Sequence, residues 1–263
     1  MTWVVGATSL HGYGALYSDI QVTFRDGSTR DLVQKAYPIS NFMAAGFAGS
    51  VRIGFFLLQS LAESTWLPDE AATMAWDPVW VAQRWSDSAR RVFEAAPPEE
   101  RALGSRFLML GASPTEDAGL GSRMFLVRFA SPDFRPGIMG RFIMSCSIGT
   151  GAGVQAYKRS IKPLIRIASG INKGEVMNRN GWARELAFAI SRTVNRHPQA
   201  GISPHFHAVV VRRGKVSTWN NDETVHYPDG RAVQIQMPRV ARSYDEFLAM
   251  SHGAESGGNC AVC

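Results

Sequence analysis

Long apolar runs, paired cysteines and dense charge are all scarce in this chain, and each scarcity excludes a class of protein. No stretch approaches the roughly 18 consecutive apolar residues of a membrane span. The N-terminus lacks the basic-then-apolar pattern of a secretory leader. The expectation is a cytoplasmic protein with no membrane partner. Three cysteines in 263 residues cannot build a disulfide framework. Cys146 lies in an apolar strand and reads as core. Cys260 and Cys263 form a C-x-x-C in a Gly-Ser tail, without the folded βα setting of a redox motif or the further ligands of a zinc site. Their formal match to a prenylation pattern reads as chance. Charged residues make up only 19%, with a net charge of +6. The basic residues are scattered, as in Arg90-Arg91, Lys158-Arg159 and Arg212-Arg213, so a solvated surface is expected and no nucleic acid. The glycine-rich turn at Gly149 has no Gly-Lys-Ser/Thr ending, which rules out a phosphate loop. No cofactor and no metal are expected.

What is present is a 45% hydrophobic chain, enough for one domain with a sizeable core. We expect one domain over residues 1–250 and a flexible tail over 251–263. Strand patterns cover residues 2–7, 15–22, 31–39 and 41–48, with a hairpin turn at Arg25-Asp26-Gly27-Ser28. A helix follows over residues 49–63, apolar nearly all round, which predicts burial. A second spans 78–95, with Asp77 as N-cap and Pro78 at the first helical position. Strands follow at 106–112, 122–129 and 142–147. Helices follow at 152–169, interrupted at Pro163, and at 181–195. Strands at 205–212, 215–219 and 231–237 and a short helix at 244–250 complete the chain. Trp76, Trp80 and Trp85 read as helix packing or subunit contact. This order suits two stacked antiparallel sheets with helices on both sides, although other α+β folds share it.

The first fifty residues carry the chemistry. Removal of Met1 ahead of the small Thr2 would leave a hydroxyl nucleophile and a free amine on one residue, and a terminal amine can serve as base for such a hydroxyl. An α-amine titrates at about 7.7–8.0. A neighbouring ammonium pushes it down by like-charge repulsion, and Lys35 is placed to supply one. Lys35 sits among Leu32, Val33, Ala36 and Tyr37, so its stem is expected to be half buried and its charge to need a partner, for which Asp19 is the natural choice. Gly49 follows an apolar strand and opens a helix, a good position for an oxyanion-binding N–H.

Thr2, Ser18-Asp19, Lys35 with Tyr37-Pro38-Ile39, and Gly46-Phe47-Ala48-Gly49-Ser50 together resemble the proteasome β-subunit and HslV group of N-terminal-nucleophile (Ntn) hydrolases. The spacings of 16 residues from Asp19 to Lys35 and 14 from Lys35 to Gly49 match as well, with one residue inserted between Thr2 and Asp19. The resemblance implies a four-layer αββα sandwich. It implies a threonine peptidase acting on peptide or unfolded protein substrates inside a homo-oligomeric double ring, with an ATP-dependent unfoldase as a possible partner. Gly149-Thr150-Gly151 resembles the family's Gly-Ser-Gly, with Thr150 in place of the serine that helps hold the amine. Val22, Val33, Phe47 and Val51 occupy the positions that line the specificity pocket in relatives, and Phe47 is expected to favour small or slim side chains.

The chain also departs from the family. An Asp and a Ser three residues apart are usual after the fourth helix. Here Ser203 fills the serine place, but no acid occurs between Leu186 and Asn221. His205 and His207 alternate on a strand, and without a third ligand they read as structural rather than metal-binding. Two alternatives share the fold: a small-molecule amidase open to solvent, and a catalytically silent ring or scaffold subunit in which Met1 stays in place.

Overall fold

The computed structural model describes residues 2–9, 12–65, 77–117, 121–140, 145–168, 179–220, 223–226, 232–235 and 237–252. Strands β1 (Trp3–Thr8) and β2 (Tyr13–Asp19) open the chain. They are followed by a small ribbon, β3 (Gln21–Thr23) and β4 (Thr29–Asp31), and then by β5 (Ala36–Ser40) and β6 (Met43–Gly49). Helices α1 (Val51–Thr65), α2 (Pro78–Glu94) and α3 (Pro98–Ala102) lead to β7 (Ser105–Asp117), β8 (Gly121–Ala130), β9 (Gly137–Gly140) and β10 (Ser145–Gly149). A 3₁₀ turn at Thr150–Gly153 precedes α4 (Gln155–Ala168) and α5 (Arg179–Arg196). Strands β11 (Phe206–Arg212), β12 (Lys215–Asn220), β13 (Glu223–His226) and β14 (Ala232–Ile235) and helix α6 (Tyr244–His252) follow.

Two five-stranded antiparallel sheets result, ordered β10-β1-β2-β11-β12 and β5-β6-β7-β8-β9. Side chains alternate across each strand, and both faces are apolar. Val4, Leu16 and Val209 of the first sheet meet Ala44, Leu108, Leu110 and Leu126 of the second. The opposite face of the first sheet, with Trp3, Val5 and Tyr17, packs on Tyr157 and Ile161 of α4 and on Leu186 and Ile190 of α5. The opposite face of the second, with Phe47, Phe107 and Phe129, packs on Ile53 and Leu57 of α1 and on Trp85 of α2. Three apolar layers therefore separate four structural ones, and the expected αββα sandwich is found. Each large side chain so buried contributes about 1.5–3 kcal/mol.

The helix starts follow local chemistry. Asp77 caps α2 by accepting from the Val79 and Trp80 N–H groups at 2.9 and 3.1 Å. Ser50 caps α1 through the Ile53 N–H at 3.1 Å. Trp85 sits 4.9 and 5.0 Å from the Phe107 and Phe129 rings, as expected of a packing residue. Trp80 lies half-buried under the Arg84 guanidinium, and Trp76 falls outside the described residues.

Four expectations need correction. The strand expected over 15–22 breaks at Ile20, whose carbonyl accepts from both Leu32 and Val33 N–H groups and so turns the chain from one sheet toward the other. The strand expected over 31–39 begins only at Ala36, leaving Lys35 in the connection. Helix α1 is not buried all round: Phe56 is 42% exposed, beside Tyr244 of α6. Helix α4 continues through Pro163. Among the described residues no helix is long and apolar enough to cross a membrane.

Candidate active site

Thr2 enters β1, and the residue after it fixes its position. Trp3 is almost wholly buried, 4.4 Å from the Tyr157 ring and edge-on to Phe206 at 6.0 Å. Tyr157 is itself tied by its hydroxyl to the His197 carbonyl at 2.9 Å. With Trp3 wedged there, the Thr2 backbone has little freedom. Its carbonyl accepts from the Gly151 N–H at 3.3 Å. Thr2 itself is only 6% exposed.

Asp19 ends β2 directly opposite this start. Its carboxylate accepts from the Trp3 N–H and, at 2.9 Å, from the Gln21 N–H. Lys35 comes from the other sheet's side of the sandwich, just before β5. Its Nζ donates to Asp19 Oδ1 at 2.6 Å, to Thr2 Oγ1 at 3.1 Å and to the Gln21 carbonyl. Both charged side chains are shut off from solvent, at 2% and 0% exposure. Burial pushes the Lys35 amine down and the Asp19 carboxyl up from their ordinary values, and the opposite charges of the pair resist this. Three oxygens surround Nζ, as many as the ammonium form has N–H groups to give them.

Gly49 ends β6 next to this pair. The Phe47 N–H donates to the Lys35 carbonyl at 3.1 Å. Strand alternation aims the Gly49 N–H, two residues on, at the same edge. Its φ of +108° suits glycine, and a Cβ there would fall 2.3 Å from the Gly104 carbonyl oxygen. Gly149 has φ +87°, and a Cβ there would fall 2.2 Å from the Thr2 carbonyl oxygen. Thr150 follows it, exposed at the opening of the 3₁₀ turn. The structure thus brings Thr2, Asp19, Lys35, Gly49 and the Gly149–Thr150 turn to one edge of the sandwich.

Ser203 is placed differently from the others. It is wholly buried, and its Oγ donates to Asp31 Oδ2 at 2.6 Å. The His205 Nδ1 lies 2.8 Å from the same oxygen. Gln21 Nε2 donates to Asp31 Oδ1 at 3.2 Å. Burial, the largest single influence, raises the Asp31 carboxyl, but the hydrogen bonds from His205, Ser203 and Gln21 and the attraction of His205 together outweigh it and hold the group below its ordinary value. The sequence marks neither Asp31 nor Gln21, and it gives His205 only a structural reading. Asp31 lies 172 residues from Ser203, so no local spacing signals the contact.

Val22, Val33 and Phe47 share one apolar cluster, against which Val51 packs half-buried. Phe47 is 1% exposed, 5.5 Å from the Phe55 ring and pressed on Gly54. His205 precedes β11 and pairs with Asp31, while His207 lies buried within the strand. Among the described residues no group of three His, Cys, Asp or Glu side chains is placed to hold a metal. Cys146 is half-buried, and burial pushes its thiol up. Cys260 and Cys263 lie outside the described residues.

No model of a known protein family matches the chain, and no curated protein matches it in sequence. Solved structures do match. A eukaryotic HslV from Trypanosoma brucei aligns with TM-score 0.49 and 16% identity over 80% of this chain and 99% of its own. Anbu (ancestral beta-subunit) from Yersinia bercovieri aligns with TM-score 0.55 and 12% identity over 99% of this chain and 98% of its own. At such identities the likeness is one of fold. The family likeness carried by the first fifty residues therefore extends to the architecture of the chain, which is the proteasome-like Ntn-hydrolase fold.

Proposed function

We propose that this chain is a threonine peptidase subunit whose nucleophile is Thr2 after loss of Met1. The observation that carries the reading is the hydrogen bonding of Lys35. All three of its N–H groups are committed, one of them to Thr2 Oγ1. In its ammonium form a lysine so bound has no lone pair to offer, and its charge lowers the cost of forming an alkoxide beside it. The base is then the Thr2 amine, freed with Met1. It takes the Oγ proton as Oγ attacks the scissile carbonyl carbon. The Gly49 N–H stabilises the oxyanion. The C–N bond breaks, the leaving amine takes the proton, and water hydrolyses the Thr2 ester.

Asp19 holds Lys35, and Thr150 and Ser203 support the amine side. Val22, Val33, Phe47 and Val51 shape the substrate pocket. One domain carries these residues, with the last residues as a tail. The fold shared with Anbu and the resemblance of the first fifty residues support a ring of identical subunits, with peptide or unfolded protein substrates and an ATP-dependent unfoldase as partner in the cytoplasm.

The test is intact mass before and after a peptide epoxyketone, which needs both the hydroxyl and the free amine to close its ring. Loss of Met1 with one adduct, absent in Thr2→Ala, is expected. The second reading is a silent ring or scaffold subunit, favoured by the lack of any acid between Leu186 and Asn221. Retained Met1 with no adduct in protein from its native host selects it. A stable monomer or dimer would remove the ring from either reading.

A further inference from the structure

Two polar clusters meet at one residue, Gln21. Its N–H donates to Asp19 and its carbonyl accepts from the Lys35 ammonium. Its side-chain amide donates to Asp31, which also holds the wholly buried Ser203 hydroxyl and the His205 ring. The carbonyl of Gln21 is one of three oxygens around Nζ among the described residues, so its position helps set where the ammonium points. The β3–β4 ribbon carrying it has just three paired positions, Gln21 with Asp31 among them. So short a ribbon is marginal by itself and needs anchoring. Asp31 anchors it to the segment that leads into β11.

We propose that Asp31 is a positioning residue for the nucleophile: from β4 it supplies the carboxylate missing around Ser203 and, through Gln21, aims the Lys35 ammonium at Thr2 Oγ1. This rests on the threonine peptidase reading. The negative charge of Asp31 also favours the ammonium form of Lys35. His205 closes the cluster: its backbone N–H donates to Ser203 Oγ at 3.0 Å, which fixes that hydroxyl toward Asp31.

A fold staple and a positioning residue predict different kinetics. A staple lost lowers stability and leaves the reactivity of the surviving folded protein alone. A positioning residue lost slows the chemical step at unchanged binding. The experiment is epoxyketone inactivation of the processed full chain, resolved into kinact and KI, alongside the unfolding midpoint. The variants are Asp31→Asn, Asp31→Glu, Gln21→Met and Thr2→Ala.

We expect Asp31→Asn to lower kinact by about tenfold to a hundredfold, the scale of a misplaced reacting group, with KI unchanged. Asp31→Glu should recover part of the loss. Gln21→Met, which leaves the Asp31–Ser203 bond in place, should lose less than Asp31→Asn, and it carries the test if Asp31→Asn does not fold. Wild-type labelling with unchanged kinact in folded Asp31→Asn or Gln21→Met overturns the role of Asp31 and leaves the peptidase standing. A processed wild type that takes no adduct overturns both.

Discussion

Asp19 and Asp31 are two carboxylates about one hydrogen-bonded residue apart, and their surroundings drive them in opposite directions. Asp19 is shut off from water. It faces an ammonium and two backbone N–H groups, yet burial still pushes its carboxyl up. Asp31 keeps 21% of its side chain exposed and faces a hydroxyl, an imidazole and an amide, yet its carboxyl is held down. Desolvation is the largest influence on both; in the dry cluster it prevails, while in the wetter one the hydrogen bonds and the attraction of His205 together outweigh it. The dry pair is therefore a costly arrangement that stability alone would not favour, because such pairs are often matched by apolar packing. The wetter cluster contributes to stability on ordinary terms.

The strongest way to break this contrast is Lys35→Met. It strands a buried carboxylate and should cost about 3–5 kcal/mol, read from the denaturant midpoint, and should abolish the epoxyketone adduct as fully as Thr2→Ala. A stable, reactive Lys35→Met protein would end the dry-pair account. Next comes Gly149→Ala. It forces a Cβ into a positive-φ position against the Thr2 carbonyl, for about 1–3 kcal/mol of strain. Because Thr2 must shift to relieve it, labelling should slow as well. Asp77→Ala sharpens the contrast as a control: it removes the α2 cap at about 1 kcal/mol without changing the labelling rate. A change in that rate would show the site to be coupled to a distant helix end.

The smallest effect is a pH slope. The folded-state carboxyl of Asp31 lies below its unfolded value of about 3.9. Its contribution is thus complete above that value and lost as pH falls through the folded one. Asp19, raised on folding, has the opposite sign: its contribution is present in acid and lost as pH rises through its folded value. Urea midpoints of wild type and Asp31→Asn between about pH 5 and 3 should show a shallower acid loss in the variant. Parallel curves would mean that Asp31 is not held down.

Part of the site was legible because its signals are local or fall at fixed spacings. Asp77-Pro78 announces a helix start through one cap and one fixed φ, and α2 begins there. Lys35, set among apolar neighbours, needs an acid, and Asp19 meets it. The loose alternation over residues 2–7 reads as a strand, and β1 lies there. The break at Ile20 was not legible, because a strand that leaves one sheet for another keeps its β-forming composition. Nor was the exposure of Phe56, since a helix does not state how much of its circumference neighbours will cover.

The sequence by itself determined the longer helices and strands and the residue types of the Thr2 site, because caps, turns and side-chain periods act over a few residues; it did not mark the short strands β4, β9 and β13. Only the tertiary structure decided what those residues meet. Stacking the sheets set Thr2 and Asp19 from one against Lys35 and Gly49 from the other, and turned all three Lys35 N–H groups to acceptors. It also brought Asp31 to Ser203 across 172 residues. Such pairings depend on the register and burial of whole sheets, which no local spacing carries.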